Sequence, residues 1–142
     1  MERRTGELRN KERRMAKGKA QTGRPFDLEE RWIAFAGRVV EVVSALPKTQ
    51  VGKHLGGQQL RSGTSPMANY AEAQGAESRN DFVHKMKVCL KELRETLAWL
   101  KLIQRRRLAG GPEKMEAIVT ECNELVSIFV ASVNTARECR KA

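Results

Sequence analysis

The sequence predicts an all-α protein: an antiparallel up-down four-helix bundle with a disordered basic N-terminal arm. The 142 residues are enough for one domain but too few for two separate cores. The composition favours helix, because aromatic residues are rare while Leu, Ala, Glu, Lys and Arg are abundant. Apolar residues also recur every three or four positions in segments joined by short turns, which is typical of amphipathic helices that pack together.

Residues 1–25 form the predicted arm, and residues 26–142 form the predicted bundle domain. The net charge is +10, and the arm supplies +6 of it, with nine Lys or Arg against three Glu. A basic segment with almost no large apolar residues cannot bury enough surface to offset its loss of chain entropy. We therefore expect it to be disordered alone, and either to bind a polyanion such as RNA or DNA or merely to keep the protein soluble.

The first helix is predicted to begin at Asp27 and to end at Pro47. Asp27 can cap a helix, and Glu30 completes a capping-box-like pattern. Proline stops the helix because it lacks a backbone donor. The apolar residues keep to one face, which predicts a core-facing helix. They are Leu28, Trp32, Phe35, Val39, Val42 and Leu46.

The second helix is predicted between Thr49 and Gly75, but several glycines and Pro66 weaken its pattern. Pro66 lacks a backbone N–H and clashes with the preceding turn. The helix is therefore either kinked there or begins its regular part near Thr64 or Ser65. Its predicted core side is a stripe of apolar or small residues, namely Leu60, Thr64, Met67 and Ala71.

The third and fourth helices have the clearest patterns. Ser78 and Asp81 mark the start of the third, which is predicted to end near Arg107. Its apolar residues are Phe82, Met86, Cys89, Leu90, Leu93, Leu97, Leu100 and Ile103. A Gly-Gly-Pro turn then leads to the fourth, which is predicted to run to about Arg140. Its apolar residues are Met115, Ile118, Val119, Cys122, Leu125, Val126, Phe129 and Val133.

A polar stripe lies along one face of the predicted second helix. At 100° per residue its members share an arc of about 80°. They are Gln58, Arg61, Ser65, Asn69 and Glu72. Short amides and hydroxyls suit a hydrogen-bonded network at a helix or subunit interface, here led by Arg61 and Glu72. A solvated surface and a ligand or catalytic site are the alternatives that the spacing leaves open.

A basic stripe lies beside the apolar face of the third helix. It consists of Lys87, Lys91, Arg94, Lys101 and Arg105, and Arg106 and Arg107 extend its end. Cations near a helix C-terminus also favour the helix dipole, so a soluble helix and a phosphate-binding surface are both open. We predict nucleic-acid contact by these residues and, in the arm, by Arg3, Arg4, Arg13 and Arg14. The interspersed Glu92 and Glu95 weaken the field, and no sequence-specific readout follows from it.

Catalytic and metal-binding patterns are poor. His54 and His84 are the only histidines, and Asp81-x-x-His84 is half of a carboxylate–histidine metal motif. Neither a glycine-rich phosphate loop nor a nucleophile with a matched base is present. The three cysteines fit no metal or disulfide spacing, which suits free thiols in a reducing compartment. We therefore expect a non-enzymatic, cytoplasmic protein with no cofactor, no metal and no membrane-spanning segment.

Three stretches together resemble one family. Residues 58–72 resemble the Q-x-x-R-x-x-x-S-x-x-x-N-x-A-E signature of bacterial four-helix-bundle proteins first recognised in intervening sequences of 23S rRNA genes, the S23 ribosomal protein family. Residues 92–100 resemble its E-x-x-E-T-x-x-W-L core, and residues 121–125 and 134–137 are similar to its fourth helix. The resemblance covers about residues 26–140. Ala73 stands where the family usually has Gly, and the basic arm is not part of the common domain.

The resemblance implies an up-down four-helix bundle, commonly a homopentamer, with no established enzymatic activity. A related branch comprises accessory proteins of diversity-generating retroelements, whose basic pentamers bind nucleic acid and a reverse transcriptase. We therefore expect a homo-oligomer that contacts structured RNA or an RNA–protein complex through its basic residues. The alternative is a protein-interaction adaptor for a reverse transcriptase or a ribosomal component.

Overall fold

A computed structural model describes residues 25–141, with side chains over residues 28–138. Four helices fill this range: α1 (Pro25–Ala45), α2 (Gln50–Gln74), α3 (Arg79–Arg105) and α4 (Pro112–Lys141). Each helix packs against the next along the chain, and α1 also contacts α4, which closes the bundle. The predicted all-α four-helix bundle is confirmed. The predicted arm, with Arg3, Arg4, Arg13 and Arg14, lies outside the described residues except for Pro25.

The core is built from the predicted faces of α1, α3 and α4. Every apolar residue predicted to face the core in α1 is buried, and so are most of those in α3 and α4. Phe82, Leu90, Leu97 and Val126 are partly buried and pack against the core. Phe129 lies at its centre, with edge-to-face contacts to Trp32 and Tyr70 at ring-centroid distances of 4.9 and 5.9 Å. Burial of each large apolar side chain contributes about 1.5–3 kcal/mol.

The start of α1 differs from the prediction, whereas the start of α3 agrees with it. The helix begins at Pro25, so Asp27 lies in its first turn instead of before it. Proline is favoured at the first helical position because its φ is already helical and its missing N–H would have no partner there. At the start of α3, the Ser78 hydroxyl accepts a hydrogen bond from the Asp81 N–H at 3.1 Å, as expected for a cap.

The helix α2 is continuous and contains Pro66 as well as several glycines. The Thr49 hydroxyl caps it by accepting a hydrogen bond from the Gly52 N–H at 3.1 Å. Its regular part therefore begins at Gln50 and not near Thr64. Of the two alternatives, the late start is wrong, because the cap and the packing against α1 outweigh the low helix propensity of glycine.

The glycines of α2 allow its backbone to lie close to α1. A Cβ atom on Gly56 would lie 3.3 Å from Val43 Cγ1, and one on Gly63 would lie 2.7 Å from Val39 Cγ1. Ordinary side chains at these positions would push the two helices apart. The residues that weaken the helical pattern in the sequence thus determine how α1 and α2 pack.

The predicted core side of α2 is wrong. Leu60 is 41% exposed, Ala71 is exposed, and Thr64 and Met67 are half-buried. The side that α2 buries is centred about 120° away around the helix. It is made of Leu55, Gln59, Ser62, Pro66, Tyr70 and Ala73. Contact through the glycines turns this mixed side inward, so the most apolar stripe of α2 is left on its outer surface.

Candidate nucleic-acid interface

Charged residues of α3 are separated onto two edges of the helix. Lys85, Glu92 and Glu95 lie on the edge that faces α2, and all three pair with residues of the polar stripe. The basic stripe lies on the other edge, beside α4. Glu92 and Glu95, which weaken the basic field in the sequence pattern, are therefore directed away from it.

Arg61 connects α2 to α3 by contacting two carboxylates. Its Nη1 donates to Glu92 Oε2 at 3.1 Å, and its Nη2 donates to Glu95 Oε1 and Oε2 at 2.7 Å. The hydrogen bond from Arg61 holds the pKa of Glu95 below its usual value, and the same bond raises the pKa of Arg61. At this point of the bundle, the single positive charge of α2 partly neutralises the two carboxylates of α3.

The rest of the polar stripe is also hydrogen-bonded within the chain. Lys85 Nζ donates to Glu72 Oε2 at 2.9 Å, and this bond raises the pKa of Lys85. Asn69 Nδ2 donates to Ser65 Oγ at 3.0 Å. Arg61 also donates to Gln58 Oε1 at 3.5 Å. The structure brings the stripe together as a half-exposed network between α2 and α3, and its role in assembly stays a prediction.

A groove between α3 and α4 collects part of the basic stripe. It has a volume of about 520 Å³. Four of its lining residues are cations and none is a carboxylate. The lining residues are Lys87, Leu90, Lys91, Arg94, Val130, Val133, Asn134 and Arg137. All four cations are exposed, and none of them forms an ion pair with another described residue.

Arg137 is the groove residue that the sequence pattern missed. Arg140 and Lys141 follow it three and four residues later, but this short basic cluster was not among the predicted binding residues. Arg137 belongs to residues 134–137, a stretch selected only for its likeness to the family. The packing of α4 on α3 places it opposite Lys87, Lys91 and Arg94.

The remaining predicted cations continue beyond the groove. Lys101 and Arg105 are exposed further along the same edge of α3. Arg107 has a φ of 51°. Its N–H donates to Gln104 O, and the Leu108 N–H donates to Ile103 O, both at 3.1 Å. This is a Schellman motif with Arg at the position that usually holds Gly.

Carboxylates surround the C-terminal end of the basic stripe. A cavity of about 1040 Å³ at the α3–α4 turn is lined by Arg107 together with Glu113, Glu116 and Glu121. Glu116 also accepts a hydrogen bond from Gln104 Nε2 at 2.8 Å. This mixed charge disfavours a bound phosphate, so the groove suits an anion better than the turn does.

Arg31 joins α1 to α4 on the far side of the bundle. Its Nε and Nη2 donate to the two carboxylate oxygens of Glu121 at 3.1 and 3.0 Å, and Nη2 also donates to Glu124 at 3.0 Å. The hydrogen bond with Glu121 is the main cause of the raised pKa of Arg31. This pairing, which the sequence analysis missed, partly neutralises two carboxylates of α4.

Reactive groups are few among the described residues. They contain no cluster of three or more His, Cys, Asp or Glu that could hold a metal ion. Cys89 and Cys122 are buried, and burial raises the pKa of both thiols to about 12. Both thiols therefore stay protonated at neutral pH and are poor nucleophiles. Over the same residues, no helix has the length and apolar character needed to cross a membrane.

Comparison with known proteins decides the family. Residues 26–131 match the family model described as 23S rRNA-intervening sequence protein. The chain belongs to this family. It is also similar to a protein of unknown function from the S23 ribosomal protein family of Bacteroides thetaiotaomicron VPI-5482, whose crystal structure was determined at 1.70 Å. The two share 34% sequence identity with a TM-score of 0.68, over 74% of this chain and 96% of the other. A search of curated proteins found no match.

In this member of the 23S rRNA-intervening sequence protein family, two of the three stretches that carry the resemblance contact each other. Arg61 is the arginine of the α2 signature, and Glu92 and Glu95 are the two glutamates of the α3 core motif. The structure joins them in one set of hydrogen bonds. These two motifs therefore mark the contact between α2 and α3, whereas Asn134 and Arg137 of the third stretch line the groove on the other edge of α3.

Proposed function

We propose that this family member is a non-enzymatic homo-oligomer, a pentamer in keeping with the resemblance, that works in the cytoplasm and binds structured RNA or an RNA–protein complex through its basic surface. The α3–α4 groove is the observation that carries the proposal. Lys87, Lys91, Arg94 and Arg137 converge there without a carboxylate among the lining residues. Lys and Arg at such spacing suit backbone phosphates, which dominate the affinity of nucleic-acid binding.

Local charge pairing supports this use of the groove. Glu92 and Glu95 are held by Arg61, and Glu121 is held by Arg31. Because these carboxylates are paired elsewhere, the field of the groove cations is not cancelled at close range. The basic arm adds +6 to the same molecule, and we propose that Arg3, Arg4, Arg13 and Arg14 contribute further phosphate contacts.

A filter-binding titration with structured RNA at several salt concentrations tests the proposal. Four phosphate contacts in the groove predict a slope of log affinity against log salt that is steeper than about −3. The double substitution Lys91→Glu and Arg94→Glu should weaken binding at least tenfold, since it reverses two groove charges. Lys48→Glu with Lys114→Glu is the matched control, because both lysines are exposed and lie outside the groove.

Two outcomes contradict the proposal. One is the absence of affinity for RNA and DNA at low salt. The other is an equal loss of affinity in the groove variant and in the control. Binding would then depend on the net charge of the chain and not on the groove. A protein partner that is recovered after nuclease treatment, such as a reverse transcriptase or a ribosomal component, favours the adaptor instead.

The self-association in the proposal is supported by exposed apolar residues on the outer face of α1 and α2. Three of the exposed large apolar residues, Ile33, Val40 and Leu60, occupy it. Ile33 also lines a groove of about 530 Å³ together with Met67, Ala71 and one charged residue, Glu29. On a chain with a net charge of +10, a face that lies away from the basic α3–α4 groove allows a second copy to approach with less repulsion. Exposed apolar patches of this kind are typical of protein interfaces.

Light scattering of the full chain tests this surface. Leu60→Glu should reduce the mass to that of a smaller assembly, because it places a charge on the proposed interface. Leu102→Glu is the control, since Leu102 has the same 41% exposure but lies on α3. A monomeric mass for the unaltered chain contradicts the proposed homo-oligomer. An unchanged mass for Leu60→Glu contradicts the proposed surface.

A further inference from the structure

Among the side chains that the structure describes, no exposed aromatic ring lies beside the basic edge of α3. Among the described aromatic residues, Trp32, Phe35, Tyr70 and Phe129 are buried. Phe82 and Trp99 pack against the core, and the Trp99 ring also contacts His54 of α2. No aromatic residue lines the α3–α4 groove. Proteins that hold single strands stack bases on aromatic side chains, which contribute about 1–3 kcal/mol per base, and this surface offers no such contact.

The cations of this edge are instead held at fixed spacing on a long helix. From Lys87 to Arg105 the basic stripe extends about 27 Å along α3 and stays within an arc of about 80°. Arg137 of α4 adds a cation beside its first half. A straight row on a packed helix suits phosphates that are themselves regularly spaced, as they are in a duplex. A flexible single strand has to be ordered before it can match such a row, which costs entropy.

Base readout is excluded by the packing of α3. An isolated helix can enter the major groove of a duplex, which is about 12 Å wide. In this bundle α2 and α4 pack on either side of α3, so the helix cannot enter a groove of that width. Its Lys and Arg can reach backbone phosphates, but not the edges of the bases.

We infer that the α3–α4 groove and the basic edge of α3 bind the sugar-phosphate backbone of a double-stranded nucleic acid in preference to a single strand, without base specificity. This inference rests on the proposed nucleic-acid binding and goes further by naming the form of the polyanion. Lys87, Lys91, Arg94 and Arg137 contact phosphates of the duplex in the groove, and Lys101 and Arg105 continue the contact along α3. The Asn134 amide, also in the groove, provides a neutral donor.

Fluorescence anisotropy with the full chain tests the inference. The probes are a labelled RNA strand of about 20 nucleotides, the same strand in an RNA duplex, and a DNA duplex of the same sequence. The salt slope is about −0.9 per contact for a duplex and −0.7 for a single strand. For the six cations named above, a tenfold rise in salt should therefore weaken duplex binding about 15-fold more than single-strand binding. We expect both duplexes to bind about tenfold more tightly than the single strand at low salt. A duplex of scrambled sequence should bind equally well.

The outcomes separate this inference from the proposed function. A single strand that binds as tightly as the duplexes overturns the duplex preference and leaves nucleic-acid binding intact. No binding of any probe overturns both. Preference for the RNA duplex over the DNA duplex supports the inference and adds a contact to the 2′-hydroxyl group.

Charge reversal within the groove tests its two sides separately. Arg94→Glu on α3 and Arg137→Glu on α4 should each lower duplex affinity about tenfold and reduce the magnitude of the salt slope by about 1. Both side chains are exposed, so circular dichroism should show unchanged helix content. Lys48→Glu is the single-charge control outside the groove. If Arg137→Glu binds the duplex as tightly as this control, α4 is not part of the binding site.

Discussion

Gly63 is the position where the packing of α1 against α2 can be tested with a single methyl group. A Cβ atom there would lie 2.7 Å from Cγ1 and 2.8 Å from Cγ2 of Val39. Val39 is fully buried, and a β-branched side chain in a helix has one strongly preferred rotamer, so neither methyl group can move away. Gly57, six residues earlier in the same helix, has nothing within 4 Å of an added Cβ.

The two Gly→Ala substitutions should therefore change the free energy of unfolding in opposite directions. Gly57→Ala should raise the free energy of unfolding by about 0.5–1 kcal/mol, because alanine favours the helix. Gly63→Ala gains the same term but also overpacks the interface, which costs about 1–3 kcal/mol. The helix term cancels in the comparison, so the two variants should differ by about 1–3 kcal/mol.

Urea denaturation followed by circular dichroism, at one fixed protein concentration, measures this difference. The Val39→Ala variant supplies an internal check, because it removes both methyl groups that clash. In a double-mutant cycle, Gly63→Ala should cost less in that background than in the original chain. If Gly63→Ala is as stable as Gly57→Ala, the close approach of the two helices described above is incorrect.

Three further predictions concern single side chains. Gln59→Leu should raise the free energy of unfolding by about 1–3 kcal/mol, since the Gln59 amide is fully buried without a hydrogen-bond partner among the described residues. Arg107→Gly should raise it by about 1 kcal/mol, because only glycine adopts a φ near 51° without strain. Arg61→Gln should raise the pKa of Glu95 in an NMR titration, because the Arg61 hydrogen bond holds it low. The stabilisation from this pair is therefore present above the ordinary glutamate pKa and is lost as the pH falls through the lowered value.

Each of these predictions has a neighbouring control. Gln58→Leu, at a half-exposed position beside Gln59, should change stability by less than about 0.5 kcal/mol. Arg106→Gly should destabilise the chain, since Arg106 has an ordinary φ of −87°. Lys53→Gln should leave the pKa of Glu95 where it is. If Gln59→Leu lowers the free energy of unfolding, bound water satisfies the Gln59 amide. If Arg106→Gly is stabilising, backbone strain at Arg107 does not explain the effect of Arg107→Gly.

The helices that bury large apolar side chains could be predicted from the sequence. Trp32, Leu93 and Phe129 recur with neighbours at helical spacing, and the hydrophobic effect turns such faces inward whatever their partners are. In α2 the same reasoning selects Leu60 and gives the wrong side. The packing of α2 depends on how closely another backbone approaches, and hydrophobicity along one helix carries no information about that distance.

The contacts between side chains of different helices could not be predicted from the sequence either. The charged residues of α2, α3 and α4 could be placed on helix faces, but their partners lie far away along the chain. Arg31 bonds with Glu121, which is 90 positions away, and Arg61 bonds with Glu92, which is 31 positions away. The basic stripe could be recognised on α3, whereas Arg137 could be added to it only after α4 had been positioned.

The placement of acidic and basic groups on opposite edges of α3 affects how this protein can change over evolution. The α2 edge fixes the position of two helices, whereas the groove edge faces solvent and shares no ion pair with it. Substitutions at separated sites without common partners have additive effects. Cations at Lys91 or Arg137 can therefore be gained or lost without disturbing the bundle, so related chains with one scaffold are free to differ in the charge of this surface.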